Sequence, residues 1–203
     1  MVYFVPIMPC TMEETLFRFL AQHITLEEAE KDHFRKLNLV REYSKGTVLL
    51  REGQYAKESY FVIRGCLRSY YLVDDEEKTT AFYLEEDSLA PESLMQQAPS
   101  EYYVVCEEDC LLLVANPTME VEVFDKFPKF ETLCRVLSEK ELAKQQANMG
   151  TFMKSSPEER YLHLQKHRPQ LLERVPQYHI ASYVGVKPET LSRIRKKLSQ
   201  QGG

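Results

Sequence analysis

Residues 177–198 carry the pattern that most restricts the folds open to this chain. Ala181 is small enough for two helices to cross closely, and Gly185 can adopt the positive φ that a tight turn requires. Apolar side chains recur where two such helices would face each other: Ile180, Val184, Val186, Leu191 and Ile194. Because the fixed φ of Pro188 suits a first helical turn, the segment predicts a helix-turn-helix whose second helix begins near Pro188.

The second helix would direct polar and basic side chains outward, as a helix lying in a DNA major groove does. The chain has a net charge of −5, but the residues from Thr151 onward carry ten basic and four acidic side chains, which leaves −11 for the rest. The basic region therefore coincides with the motif. An ordinary helical hairpin, with Glu189 and Arg193 as a surface ion pair, is the alternative. We expect these residues to contact double-stranded DNA: Lys187, Glu189, Thr190, Ser192, Arg193, Lys196 and Lys197.

The first half of the chain contains a helical part and a β-rich part. Residues 12–37 repeat apolar groups at helical spacing, with Thr25 and Glu28 as a predicted capping box. Residues 39–114 contain short β-rich runs at the intervals of an antiparallel barrel or jelly roll. The runs are separated by turn signals at Lys45-Gly46, Glu52-Gly53, Arg64-Gly65 and Asp74-Asp75. The predicted fold class is therefore α+β, with a β-roll ahead of the C-terminal helices.

A long helix is predicted between these parts, from about residue 129 to 153. Parts of its apolar stripe are expected to pack on the barrel and parts to pair two subunits. The candidates for the buried dimer seam are Leu133, Leu137 and Leu142, with Lys140 and Lys144 at its edge. Ser155-Ser156-Pro157 then supplies an N-cap and a first-turn proline for a helix running to about Arg174. The expected parts are a sensor domain, a connecting helix and a DNA-binding domain: 1–128, 129–153 and 154–203.

This arrangement resembles the cAMP-receptor and fumarate-nitrate-reductase (Crp/Fnr) regulator family over about residues 12–198. The run from Tyr43 to Gly65, with Gly46 and Gly53 at roll corners, looks like that family's cyclic-nucleotide-binding fold, and residues 188–193 look like its recognition helix. The resemblance implies a homodimeric transcription regulator that contacts RNA polymerase. It also implies that Glu189 and Arg193 read base edges, for which carboxylate and guanidinium groups are chemically suited.

The ligand site departs from that family's pattern. Pro91-Glu92 stands where cyclic-nucleotide binders have Gly-Glu, and Ser100-Glu101-Tyr102 stands where they have an arginine that pairs with the phosphate. Because Glu101 cannot replace that cation, we expect neither cAMP nor cGMP to bind unless another cation, such as Arg68, substitutes for it. The residues expected to meet an unidentified effector are Glu92, Ser93, Ser100 and Tyr102.

No cofactor, metal or enzymatic activity is expected. Scattered cysteines favour reduced structural thiols over an iron–sulfur cluster: Cys10, Cys66, Cys106, Cys110 and Cys134. His163 and His167 have the i, i+4 spacing of metal ligands but no third ligand nearby in sequence, so a solvated helix face is preferred. All five histidines lie outside residues 39–114, which argues against a cupin-like metal enzyme.

The N-terminal residues 1–10 are apolar but lack a basic region and contain Pro6 and Pro9. They therefore predict neither a signal peptide nor a membrane span, and the expected location is the cytoplasm. A sensor or scaffold that binds only protein is the alternative function, because the chain ends at Gly203 without a strand pair that would complete a wing.

Overall fold

The computed structural model describes residues 12–201, so the interpretation of residues 1–10, and of Cys10 among them, falls outside the described part. Two short helices come first, α1 (Met12–Ala21) and α2 (Glu28–Leu37). The predicted capping box at Thr25 is wrong, because α2 begins after Glu27, whose N–H donates to the Glu30 carboxylate at 2.7 Å. Glu30 is buried and also pairs with Lys129 at 2.7 Å, and this distant partner favours the later start.

Eight strands form the β-rich part. Their bounds are β1 (Val40–Tyr43), β2 (Val48–Leu50), β3 (Ser59–Arg64), β4 (Leu67–Val73), β5 (Glu76–Tyr83), β6 (Ser88–Leu89), β7 (Tyr103–Cys106) and β8 (Cys110–Ala115). The strands pair antiparallel in two four-stranded sheets, ordered β1-β8-β3-β6 and β2-β7-β4-β5. This is the predicted β-roll, and its core lies between the sheets around Val62, Leu67, Val104, Leu112 and Val114.

The four predicted turn signals all lie at corners of the roll. Gly46, Gly53 and Gly65 have positive φ, and Asp74 and Asp75 adopt φ of 53° and 61° between β4 and β5. The β-rich region 39–114 also contains a helix. A short helix, α3 (Glu92–Gln96), follows β6, because the polar run around Glu92 has no apolar alternation to hold it in a sheet.

Six helices follow the roll. They are α4 (Pro117–Lys126), α5 (Pro128–Lys154), α6 (Pro157–His167), α7 (Pro169–Arg174), α8 (Gln177–Val184) and α9 (Pro188–Gln201). The predicted capping at Ser156 is present, since its hydroxyl accepts the Glu159 N–H and the Glu159 carboxylate accepts the Ser156 N–H. The prediction of a single helix from there to Arg174 is wrong. Pro169 has no N–H to donate to a continuing helix, so α6 ends before Arg168 and α7 begins at Pro169.

The long helix α5 packs its apolar side chains on the roll along its first turns, and farther along Lys144, predicted at the edge of a dimer seam, pairs with Asp87 of the roll. Leu133 is buried with Phe130 in a cluster formed by α1, α2, β1, β8 and α4, and Leu137 packs against the same cluster. Leu133 therefore faces the helix's own roll, and its assignment to a dimer seam is wrong, whereas Leu137 is only half-buried. Farther along, Leu142 is exposed, as are Met149, Phe152 and Met153.

Candidate nucleic-acid interface

The α8–α9 pair has the tight turn that the sequence predicts. Gly185 ends α8 at φ 81°, and the N–H of Val186 donates to the Ala181 carbonyl at 2.9 Å. A side chain at this glycine would meet the guanidinium of Arg160, which donates to the Val184 carbonyl at 3.0 Å and so satisfies the end of α8. The facing apolar side chains Ile180, Val184 and Leu191 are at most 1% exposed. The two helices are thus held in one fixed geometry.

The outer surface of α9 is polar and open to solvent. Six of the seven predicted DNA contacts are exposed, and Thr190 is half-buried. Arg193 approaches the Glu189 carbonyl and the Thr190 hydroxyl at 3.4 Å each, and no carboxylate of residues 12–201 lies within ion-pair distance of it. Its charge is therefore available, and the alternative surface pair with Glu189 does not form. By contrast, Lys197 is already paired with Glu158 of α6 at 2.8 Å.

The α8–α9 pair does not pack by itself. Cys66, Phe82 and Leu84 of the roll share one buried cluster with apolar side chains of α6 to α9, including Tyr161, Leu164, Leu171 and Ile180. Farther out, the guanidinium of Arg174 pairs with Glu85 and Glu108. The C-terminal helices are therefore docked on the roll through both apolar and charged contacts.

Ser182 of α8 binds the open edge of the roll. Strand β5 lies at the edge of its sheet, where backbone groups lack a neighbouring strand. The Ser182 hydroxyl accepts the Thr79 N–H at 2.9 Å and donates to the Glu77 carbonyl at 2.8 Å. One side chain thus satisfies two backbone groups that an edge strand would otherwise expose.

A buried ionic cluster lies beside this contact. Arg68 of β4 is 3% exposed; its guanidinium pairs with the Glu107 carboxylate and donates to Glu77 at 2.7 Å. His179 of α8 packs against both carboxylates, 3.6 Å from Glu107 and 3.8 Å from Glu77, and desolvation and the Arg68 charge lower its pKa. Arg68 is therefore committed to these partners and is not a substitute phosphate cation. The run Leu67-Arg68-Ser69 offered the only sequence signal, since a charged residue in an apolar strand needs a buried partner.

The predicted ligand residues lie near α3, at one end of the roll. The Ser93 hydroxyl accepts the Ala56 N–H at 3.2 Å, and the buried Ser100 hydroxyl donates to the Tyr102 carbonyl at 2.8 Å. Burial raises the pKa of the Tyr102 phenol to about 12. Glu92 is exposed at the start of α3. These groups are occupied in holding the loop, which leaves few of them free for a ligand.

A cavity of about 540 Å³ adjoins this end of the roll. Residues from β2, from the loop after it and from the start of β3 form most of its wall, including Leu49, Leu50, Tyr55, Lys57 and Tyr60. Pro91 also lines it, whereas Glu92, Ser93, Ser100 and Tyr102 do not. Lys57 is the one cation among its lining residues, and the carboxylate of Glu58 beside it is paired with Arg41 at 2.8 Å.

The remaining chemical candidates are the cysteines, of which Cys134 is exposed, and the histidine pair of α6. Cys66, Cys106 and Cys110 are buried free thiols, and desolvation raises the pKa of Cys66 well above its ordinary value. The rings of His163 and His167 lie 4.3 Å apart on α6. Among residues 12–201 no three His, Cys, Asp or Glu side chains are grouped to hold a metal ion.

The roll defines the class of domain, since its residues 40–123 match the family model of the cyclic nucleotide-binding domain. The regulator CLP of Xanthomonas campestris, described as c-di-GMP responsive, aligns at 20% identity and a TM-score of 0.66, over 87% of this chain and 93% of that chain. FixK2 of Bradyrhizobium japonicum aligns at 19% identity and a TM-score of 0.61, over 80% and 85%. A CooA mutant of Carboxydothermus hydrogenoformans aligns at 20% identity and a TM-score of 0.59, over 80% and 77%.

These alignments confirm the fold that the sequence predicted, a β-roll followed by a long helix as in Crp/Fnr regulators. No curated protein matches the sequence. In the described part of the chain, none of the helices is both long enough and apolar enough to span a membrane.

Proposed function

We propose that the protein is a transcription regulator of the Crp/Fnr type that binds double-stranded DNA through α8 and α9. The observation that carries the proposal is the exposed, basic surface of α9, which stands on a turn whose apolar contacts are fully buried. A helix-turn-helix inserts the start of its second helix into the major groove. Glu189 and Arg193 lie in that part of α9, Lys187 immediately precedes the helix, and Lys196 extends the basic surface toward its end.

The active form in this proposal is a homodimer. Beyond Leu137 the exposed apolar residues of α5 are spaced about two turns apart, at Leu142 and Met149, with Phe152 and Met153 one turn later. A second copy of the same helix would cover them, as in a short coiled coil. Two α9 helices could then engage half-sites about 34 Å apart, one turn of DNA. Contact with RNA polymerase and a cytoplasmic location belong to the same proposal by family resemblance.

The roll senses a signal other than a cyclic nucleotide, or serves structurally. Arg68 is engaged by Glu107 and Glu77, and Glu101 stands where an arginine would pair with the phosphate. We therefore expect calorimetry with cAMP and cGMP to give no binding at physiological concentration, because a buried phosphate without a positive partner is unfavourable. A micromolar dissociation constant for either nucleotide would contradict this, and Glu92, Ser93, Ser100 and Tyr102 would then be the residues to substitute.

A gel shift with fragments of the native genome tests DNA binding directly. We expect a small set of fragments to be retained at moderate salt and to share a two-fold symmetric sequence, because two subunits would read it. Retention of no fragment would favour the alternative, a sensor or scaffold that binds only protein. Affinity that is equal for all fragments would leave a nonspecific basic surface instead of a base-reading helix.

A further inference from the structure

The acidic tip of the β4–β5 hairpin faces the start of α9 across an open cleft. The cleft has a volume of about 830 Å³. Hairpin residues Glu76, Glu77 and Lys78 line one side, and Lys187, Pro188 and Glu189 at the start of α9 line the other. Tyr178 and Ser182 of α8 complete the wall. The hairpin is therefore a close neighbour of the residues proposed to enter the DNA groove.

The tip carries an excess of negative charge. Residues 74–78 read Asp-Asp-Glu-Glu-Lys, and all five are exposed. Glu76 pairs with Lys78, and Glu77 pairs with Arg68. Within residues 12–201, no cation lies within ion-pair distance of Asp74 or Asp75. Lys78 holds the pKa of Glu76 below its ordinary value, and a weaker contribution from Lys187 agrees with their closeness across the cleft.

The hairpin is fixed in this position. Ser182 of α8 is hydrogen-bonded to the backbone of Thr79 and Glu77, a few residues from the tip. Arg68 holds the Glu77 side chain from the neighbouring strand. Swinging the tip away from α9 would break these contacts, so its charges act from a defined place while the C-terminal helices are docked.

We propose that this tip is an electrostatic brake on DNA binding, an inference that rests on the proposed function. When a helix-turn-helix docks, its first helix crosses the DNA backbone while its second enters the major groove. Helices α8 and α9 both line the cleft, so in this docking mode a DNA backbone strand would run past the opening of the cleft. Duplex DNA carries one negative charge per about 1.7 Å. Glu76 lines the cleft, and Asp74 and Asp75 precede it at the same exposed tip; in this proposal their carboxylates repel that strand over a screening length of about 8 Å.

The brake is tested by removing the tip charges without changing its shape. The variant D74N/D75N/E76Q keeps the turn, because Asn tolerates positive φ, and keeps Glu77 for Arg68. The matched control E52Q/D125N/E131Q makes the same change in net charge at exposed carboxylates outside the β4–β5 hairpin and the cleft. Both are compared with the unaltered protein by fluorescence anisotropy on a retained genomic fragment and on an unrelated duplex.

The tip variant is expected to bind both duplexes roughly three- to tenfold tighter at 0.1 M salt, since each exposed charge contributes modestly. The control should change affinity by less than about twofold, and raising the salt should close the gap. Equal affinities for the tip variant and the control would overturn the brake while leaving DNA binding intact. No binding by any of the three proteins would overturn the proposed function and the brake with it.

Discussion

At the scale of single residues, the charge partners on α9 distinguish the residue proposed to read bases from those proposed to bind phosphates. The guanidinium of Arg193 has no carboxylate partner among the described residues, whereas Lys197 is held by Glu158. Arg193→Ala is expected to cost about 1–3 kcal/mol on the preferred site and to flatten discrimination at one base pair. Lys196→Ala should weaken all sequences alike and make the salt dependence shallower. Binding titrations on a set of single-substitution duplexes measure both effects.

The same titrations also test the placement of α9 in the major groove. A preference that survives Arg193→Ala unchanged would mean that α9 does not lie in the groove as proposed. The pairing of Lys197 with Glu158 makes Lys196 the better probe of phosphate contact, a distinction that the sequence 195–198 could not supply.

Gly65 is the residue at which the roll tolerates no side chain. It has φ 111°, and a Cβ there would lie 2.6 Å from the sulfur of Cys110 and 2.8 Å from its Cα. Gly65→Ala is expected to lower the free energy of unfolding by about 2–4 kcal/mol, from backbone strain together with overpacking. Gly53→Ala is the control, because Gly53 also has positive φ but has open space around it.

For Gly53→Ala we expect a loss of about 1 kcal/mol from strain alone. Urea unfolding of both variants gives the two values. If the two losses were equal, the close approach of Cys110 would have no energetic role.

At the scale of elements, the N-terminal cap of α6 is a local feature that the sequence predicts. Ser156 and Glu159 cap each other's backbone N–H groups, and Pro157 occupies the first turn. Ser156→Ala is expected to lower the free energy of unfolding by about 1 kcal/mol. Ser155→Ala should change it by less than about 0.5 kcal/mol, because that residue contributes its carbonyl, to Arg160, and not its hydroxyl. A larger loss at Ser155 in urea unfolding would contradict the assignment of the cap.

At the scale of the whole molecule, the first part of α5 packs on the roll and the later part is proposed to pair two subunits. Leu133 is buried against the roll, and Leu142 and Met149 are exposed on the uncovered part. Leu142→Glu/Met149→Glu is therefore expected to shift sedimentation from dimer to monomer at micromolar concentration while leaving the fold of the subunit intact, since charges in an apolar seam oppose pairing.

The control variant is expected to lose stability but to remain a dimer. Leu133→Ala should lower the free energy of unfolding by about 2–4 kcal/mol, because it leaves a cavity under the helix, and should leave the dimer in place. A monomeric unaltered protein, or a dimer that survives both glutamates, would eliminate this face of α5 as the interface.

Local patterns determined much of this protein from sequence. The period of the apolar residues, the corner glycines and the cap at Ser156 act over a few neighbouring residues, so the roll, the long helix and the turn at Gly185 could all be read from the sequence. The predictions that were wrong concern residues with distant partners. Glu30, near the start of α2, pairs with Lys129, and Leu133 is buried against the roll.

Only the tertiary structure decided which charged and polar side chains remain without a partner. Arg68 is committed to Glu107 and Glu77, Lys197 to Glu158, and Ser182 to the edge of β5. Residues 68 and 107 are far apart in the chain, and an ion pair depends on distance in space, which no local pattern encodes. The sequence therefore determined which elements form, and the packing of the C-terminal helices on the roll decided which side chains those elements leave available for the proposed contacts with DNA.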